Sequence, residues 1–350
     1  MGNEKTTQLN EIAEFISNMP QLTERYSDIR FVYDVAEMGQ NSLVFKARDG
    51  RYPIILKFNG SWNNDIYRRE AFEREYVLMK LLSGKKGVIQ LRGDLERIEF
   101  PVQAVSNGPI LRYEIVYFPM EVARVDLATL IYLGSKKQSI LRLLTIFRSL
   151  CRSLKVLHEN NICHRDLKPS NVFFFNTENV KIGDLGCARQ LGEGVPSLLE
   201  VYHGPRGDIR YTAPELICLA KECDEGFLAG DFYSLGAILF EVVTGRIYGD
   251  YVYTLENLAK LKAMFSIMPA TSREDIFDKL LPDIIAAYPP PPLSEITGKI
   301  PASIIYNLEG LYKRLIELRV EKRLVNFNTI LRELEIMIRI LRYEQKARRQ

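Results

Sequence analysis

Residues 164–171 of this chain read His-Arg-Asp-Leu-Lys-Pro-Ser-Asn, and Asp184-Leu185-Gly186 follows shortly after. The first stretch sets the Asp166 carboxylate and the Asn171 carboxamide five positions apart, with Lys168 between them. The second adds another carboxylate on a tight glycine turn after the apolar Val180–Ile182. A short charged run is usually a solvated loop, and a triplet such as Asp-Leu-Gly decides nothing alone. An eight-residue stretch with a second motif at workable spacing is far more selective. Phosphoryl transfer from a nucleotide needs Mg²⁺ on crowded phosphate oxygens, a carboxylate beside the attacking hydroxyl and a cation near the moving charge. Asp184 and Asn171 can hold the metal, Asp166 can accept the hydroxyl proton, and Lys168 can sit on the γ-phosphate.

On these motifs the chain resembles the eukaryotic-type protein kinases, over about residues 31–341. The resemblance implies an α+β, bilobal protein kinase fold. Its small β-rich N-lobe would span about residues 30–120 and its larger helical C-lobe about 124–342. A leader (1–29), an insertion (about 249–300) and a basic tail (343–350) complete the expected organisation. ATP and Mg²⁺ are the implied cofactors, and the implied partner is a protein substrate with a Ser/Thr acceptor. Lys168, two positions after Asp166, resembles the Ser/Thr type, and the segment before Ala213-Pro214-Glu215 lacks the tyrosine-kinase pattern.

The chain from Phe31 to Phe58 reads as three strands, Phe31–Val35, Leu43–Ala47 and a third apolar run ending at Lys57. Between the first two lies the position of the family's glycine-rich loop, where Gly39 is kept and Glu37 and Ser42 replace the flanking glycines. Fewer glycines allow fewer close backbone approaches to phosphate. By resemblance Val44 covers the adenine, and Lys57 contacts the α- and β-phosphates through an ion pair with Glu75. Glu75 lies on a helix expected over about Asn64 to Leu82, which also carries Glu70 and Glu73 as solvated alternatives. Arg112–Met120 reads as a strand, Met120 falls at the gatekeeper position, and Glu121–Ala123 would be the hinge on which adenine is bound. Pro119 cannot donate to a ladder there. A helix from about Ser139 to Glu159, with Leu141, Leu144, Phe147, Leu150, Leu154 and Leu157 on one face, leads into the catalytic stretch.

Arg165 resembles the arginine that grips a phosphorylated activation segment, with Ser197 or Tyr202 as phosphate carriers and Glu200 as a constitutive substitute. Asp208 stands where the family has a threonine, so a carboxylate there is expected to hold Lys168 while repelling Asp166. Glu215 is expected to pair with Arg323. Asp231 is expected to begin a helix through Val243 and to clamp the catalytic loop. Residues 249–300, with the Pro289–Pro292 run, read as a surface insertion or a partner-docking element. The last helix is expected from Asn328 to about Arg349, its basic end complementing the dipole. Cys187 is a packed residue or a redox handle. Met1-Gly2 with Thr6 fits the N-myristoylation pattern.

At 350 residues, 47% hydrophobic and 26% charged, the chain can form two substantial cores. A net charge of +3 gives no case for nucleic acid or general membrane affinity. The 5 cysteines are odd in number and irregularly spaced, as expected of reduced thiols. No uninterrupted apolar run has transmembrane length and no secretory segment opens the chain, so a cytoplasmic location is expected. Two other readings stand beside the kinase. A pseudokinase scaffold draws on the thin glycine loop and Asp208, and is opposed by the retention of Lys57, Glu75, Asp166, Asn171 and Asp184. A small-molecule phosphotransferase shares the His-x-Asp loop but not the Ala-Pro-Glu segment with Asp231 and Arg323.

Overall fold

The structure is a computed structural model that describes residues 11–32, 42–59, 66–103, 110–134, 138–175, 179–192, 207–252, 267–287 and 289–348. The chain divides into two units, one of Met1–Gly84 with Ile89–Val122, the other of Lys85–Val88 with Ala123–Gln350.

The first unit holds helix α1 (residues 11–17), α2 (Pro20–Thr23), strands β1 (Ser27–Phe31), β2 (Ser42–Asp49) and β3 (Tyr52–Asn59), helix α3 (Ile66–Leu81), and strands β4 (Glu96–Gln103) and β5 (Ile110–Glu121). The strands form one antiparallel sheet in the order β1-β2-β3-β5-β4. Period-2 alternation splits the central strand between two layers. Ile54, Leu56 and Phe58 of β3 join Leu43, Phe45 and Ala47 of β2 in one apolar cluster, while Ile55 and Lys57 alternate with them. That cluster is completed by the N-terminal segment, whose Ala13, Ile16, Met19, Leu22 and Tyr26 recur at near-helical spacing and are buried in it. From residue 11 onward the expected leader is therefore a layer of this unit's core. β1 lies upstream of the expected strand at Phe31–Val35, and residues 33–41, with Gly39, lie outside the described residues. Phe72 and Tyr76 of α3 pack on Phe118 of β5, at ring-centroid distances of 4.8 and 5.9 Å. Toward the end of α3 and just beyond it, Leu78 and Leu82 are buried, while Val77 and Leu81 are exposed.

The second unit holds β6 (Val125–Asp126), α4 (Leu127–Gly134), α5 (Ile140–Glu159), β7 (Ile162–Cys163), β8 (Val172–Phe174), β9 (Val180–Ile182), β10 (Arg189–Gln190), α6 (Pro214–Ile217), α7 (Asp224–Thr244) and α8 (Tyr248–Val252). Helices α9 (Ala270–Ala287), α10 (Leu293–Ile296), α11 (Ala302–Leu315) and α12 (Phe327–Ala347) follow. Ser139 caps α5 by accepting from the Arg142 N–H, and Asn326 caps α12 by accepting from the Thr329 N–H. Both caps stand where the leucine and isoleucine periodicity of their helices begins. Lys85–Val88 belongs here because Gly87, at φ +89, lies against Ser153 of α5 and accepts from the Ile182 N–H. A Cβ on Gly87 would stand 2.8 Å from the Ser153 hydroxyl oxygen.

Asp231 does not begin its helix. α7 starts at Asp224, where Asp224 and Glu225 complement the dipole. Burial of Phe227 and Ala229 in those early turns offsets the weak propensity of Gly226 and Gly230. Among the described residues α7 is the one helix long and apolar enough to cross a membrane, and 94% of that stretch is buried inside the fold. The insertion contains α8, α9 and α10, and Pro289–Pro292 is irregular and partly exposed. Lys221 pairs with Glu274 and Asp278 of α9. Among the described residues the cysteines form no disulfide, and Cys151, Cys163 and Cys218 are buried.

Because α1 closes one side of the sheet, Ile16→Ala should destabilise the protein by about 2–5 kcal/mol, the range for an emptied isoleucine site. Glu14→Ala, on the exposed side of the same helix, should stay within about 0.5 kcal/mol. Thermal unfolding of the two variants decides this, and equal melting points would remove α1 from the core.

Candidate active site

The residues singled out from the sequence fall into two sets, one in each unit. In the first, Lys57 of β3 is opposed by Val44 on β2 and by Phe118 on β5. Its ammonium is buried and donates to both carboxylate oxygens of Glu75, at 2.7 and 2.8 Å. Of the three glutamates on α3, Glu75 is the partner. Glu70 is exposed, and Glu73 joins a network that ties α3 to β4 and β5. In that network Arg69 pairs with Glu73 (3.2 Å) and with Glu114, and Arg97 pairs with Glu73 (2.9 Å) and Glu114 (3.1 Å). Met120 and Glu121 end β5, with Met120 opposite Ile55 and bridged to Leu91. Pro119 keeps its place in the register, its carbonyl accepting from the Arg92 N–H at 2.8 Å. The buried Glu121 carboxylate accepts from the Gln90 N–H at 2.8 Å. Ala123, partly buried, begins the main segment of the second unit.

In the second unit the polar stretch lies between β7 and β8, so α5 and the short β8–β9 hairpin frame it. The chain there is held from beneath by Asp231. Its buried carboxylate accepts the His164 N–H at 2.8 Å, the Arg165 N–H at 2.9 Å and, at 2.9 Å, the imidazole of His158. Burial works to raise the Asp231 pKa, but these donors outweigh it and hold the carboxyl below its ordinary value. His164 is fully buried, with Nε2 3.0 Å from the Gly183 carbonyl. A carbonyl only accepts, so Nε2 carries the proton and Nδ1 accepts from the Asp166 N–H at 3.3 Å. Thus one histidine links the turn at Asp166 to the turn before Asp184. Arg165 and Asp184 both take left-handed backbone, at φ 65 and 56, a conformation that packing must hold for residues other than glycine.

The Asp166 carboxylate is half-buried and accepts from the main-chain N–H of Asp208 at 2.8 Å. Lys168 lies 3.3 Å away, and the Asn171 amide donates to the Asp166 carbonyl at 2.8 Å and to its carboxylate at 3.3 Å. Burial pushes Asp166 above the usual carboxylate range; Lys168 opposes this and the Asp184 charge adds to it. For Lys168, burial works to lower the pKa, but Asp166, Asp208 and Asp184 together hold it above the ordinary lysine value. With the Asn171 Nδ2 directed at Asp166, its Oδ1 is the atom left to serve as a ligand. An amide oxygen and the exposed Asp184 carboxylate are hard donors suited to Mg²⁺, which keeps water and substrate phosphate as its other ligands.

Asp208 behaves differently from the expectation set by its charge. Its carboxylate turns to Arg210, accepting from Nε at 2.9 and 3.2 Å, from Nη2 at 2.5 Å and from the Arg210 main-chain N–H at 3.0 Å. Ser197, Glu200 and Tyr202 lie outside the described residues. Glu215 and Arg323 form the expected pair at 2.6 and 3.1 Å, both side chains fully buried, with Arg323 also bonded to the Ala229 and Glu317 carbonyls. Several participants had no local signal in the sequence. Phe227 lies 4.4 Å beneath the Arg165 guanidinium and 5.1 Å from that of Arg189. The Tyr211 hydroxyl donates to the buried Glu241 at 2.6 Å. Cys187, beside the Asp184 turn, is half-buried.

A lysine–glutamate pair on a five-stranded sheet, with an Asp-Lys-Asn loop and an Asp-Leu-Gly turn in a helical unit, defines a protein kinase domain. The chain belongs to that family: the protein kinase domain model matches residues 37–333. The chain is 30% identical over 167 residues to mitogen-activated protein kinase kinase kinase 4 of Mus musculus, covering 47% of this chain and 10% of that protein. It is 27% identical over 237 residues to serine/threonine-protein kinase mph1 of Schizosaccharomyces pombe (65% and 33%). It is 24% identical over 257 residues to mitogen-activated protein kinase 4 of Mus musculus (71% and 41%). The match therefore spans less than two thirds of the length of each of these relatives.

Glu241 supplies a pH test of this segment's packing. Burial pushes its carboxyl from 4.5 up to about 7; the Tyr211 hydroxyl and Arg210 oppose the shift, while Asp208 and Asp250 add to it. Between these values the folded protein keeps a proton that the unfolded chain has released. The stability this proton supplies is complete below pH 4.5 and lost as the pH rises to about 7, a change of about 3 kcal/mol. Relative to Glu241→Gln, the wild type should therefore lose stability across that window in parallel denaturant titrations. A difference that does not change with pH rejects the assignment.

Proposed function

We propose that this protein is a Ser/Thr protein kinase that transfers the γ-phosphoryl group of ATP to a protein hydroxyl. The observation that carries the proposal is the Asp166 carboxylate, raised in basicity by burial and oriented by the Asp208 N–H, the Asn171 amide and Lys168. In that setting Asp166 takes the proton of the acceptor serine or threonine as its oxygen bonds to the γ-phosphorus and the bond to the ADP oxygen breaks. Lys168, whose ammonium form is favoured by the surrounding carboxylates, neutralises charge that builds on the transferring group. The Lys57–Glu75 pair has the make-up of a phosphate contact, because Glu75 fixes the ammonium in place. Val44, Met120, Glu121 and Ala123, with Gly39, would hold the nucleotide. Asn171 and Asp184 would hold Mg²⁺, which when bound neutralises the phosphate oxygens.

Asp166→Asn removes the proton acceptor while keeping its shape, so turnover should fall by about 10²–10⁴-fold. Unchanged turnover would take Asp166 out of this role. Incubation with labelled ATP and a generic basic protein should yield phosphoserine or phosphothreonine, and phosphotyrosine as the main product rejects the Ser/Thr assignment. Calorimetry should show metal-dependent nucleotide binding that is lost in Asp184→Ala. A wild type that neither binds nor transfers would favour the scaffold reading.

A further inference from the structure

The sequence puts an aspartate where a neutral hydroxyl is expected, next to the carboxylate proposed as the base. An uncompensated second charge there would disturb both Asp166 and Lys168, because charges a few ångströms apart in a partly buried site interact strongly. The structure shows how the charge is handled. Asp208 presents only its main-chain N–H to Asp166, at 2.8 Å. Its carboxylate, with its side chain 15% exposed, is directed to Arg210 two residues on, which returns one main-chain and three side-chain hydrogen bonds. Burial works to raise the Asp208 pKa, but Arg210, with the Lys168 charge adding to it, outweighs it and keeps the group ionised.

The backbone on both sides enforces this orientation. Gly207, at φ +83, lies against the Arg165 carbonyl and Asp166; a Cβ there would meet that carbonyl oxygen at 2.6 Å. Gly249, at the start of the insertion, lies on the main chain of Arg210, where a Cβ would meet the Arg210 carbonyl oxygen at 2.5 Å. Asp250, next to Gly249, adds its charge to the field at Arg210. The first helix of the insertion is thus built against the residue that occupies the Asp208 carboxylate.

We infer that Arg210 is a positioning residue: by binding the Asp208 carboxylate it leaves the Asp208 N–H directed at Asp166 and keeps a competing anion off Asp166. The inference rests on the proposed role of Asp166, but its structural half can be read without turnover. The experiment compares wild type, Arg210→Gln, Asp208→Asn and the double variant in the full chain. With the carboxylate released, Arg210→Gln should lower kcat by about tenfold or more while KM for ATP stays within about twofold, the pattern of an effect on the reacting step. Removing the charge as well should restore kcat to within about threefold of Asp208→Asn, since coupled residues give strongly non-additive cycles. A double variant as slow as Arg210→Gln overturns the inference. In the absence of nucleotide, the Asp208 amide should exchange with solvent about tenfold faster in Arg210→Gln and recover in the double variant. Unchanged exchange in Arg210→Gln overturns it even if the wild type transfers no phosphate. Altered exchange without any turnover in the wild type would leave the pair standing and reject the kinase reading instead.

Discussion

The second unit depends on one buried carboxylate. Asp231 takes the main-chain N–H groups of two consecutive residues, His164 and Arg165, and the ring of His158. A loop turning at a left-handed arginine has no ladder or helix to absorb those N–H groups, and leaving them unbonded inside the protein would cost about 1–3 kcal/mol each. Asp231 supplies the missing acceptors from a helix that is itself almost wholly buried. The same side of α7 also fixes the segment that lies over the loop. Ser234 donates to the Tyr211 carbonyl at 2.9 Å and Glu241 accepts from the Tyr211 hydroxyl. One rigid helix thus sets the position of Asp166 from two directions, through the loop that contains it and through the segment whose N–H reaches it.

What could be read from the sequence follows from how local each cause is. The Lys57–Glu75 pair, the Asp166–Asn171 loop and the Glu215–Arg323 pair were legible because spacing and residue type narrow each to few candidates. Motif position alone favours Glu75 over Glu70 and Glu73; the physical reason, which side of the helix faces the strand of Lys57, is set by packing and shows only in the fold. The N-terminal segment was read as a leader, and its place in the core went unread for a related reason. Its apolar residues make a short amphipathic pattern, and nothing local says whether that stripe is covered by its own protein. The covering partner is the alternating set on β2 and β3, far along the chain. β4 went unread because charged Glu96, Arg97 and Glu99 interrupt its apolar positions, and the start of α7 was displaced because Gly226 and Gly230 weaken the helical signal of its early turns. Asp208 is the most instructive case. Its identity suggested repulsion, whereas the sign of its effect depends on Arg210, two residues away.

Charged pairs in this protein fall into two kinds, and energetics separates their roles. The Arg69–Glu73–Arg97–Glu114 network is roughly one third exposed, so each link contributes at most about 1 kcal/mol and is weakened by salt. It biases α3 toward β4 and β5 without fixing it. The Lys57–Glu75 and Glu215–Arg323 pairs are nearly or fully removed from water. Their desolvation cancels most of their attraction, and apolar residues of the same size would stabilise the fold as well or better. Such pairs are therefore not explained by stability. What an ion pair provides and an apolar pair does not is direction, since each end is fixed to within a few tenths of an ångström by two or more hydrogen bonds. Glu215 and Arg323 use that to lock the end of the segment to α7, Lys57 and Glu75 to hold an ammonium in one place, and Asp208 and Arg210 to turn a carboxylate away from its neighbour. The two buried pairs trade stability for geometry, and all three pairs lie on residues that set the position of the proposed chemistry.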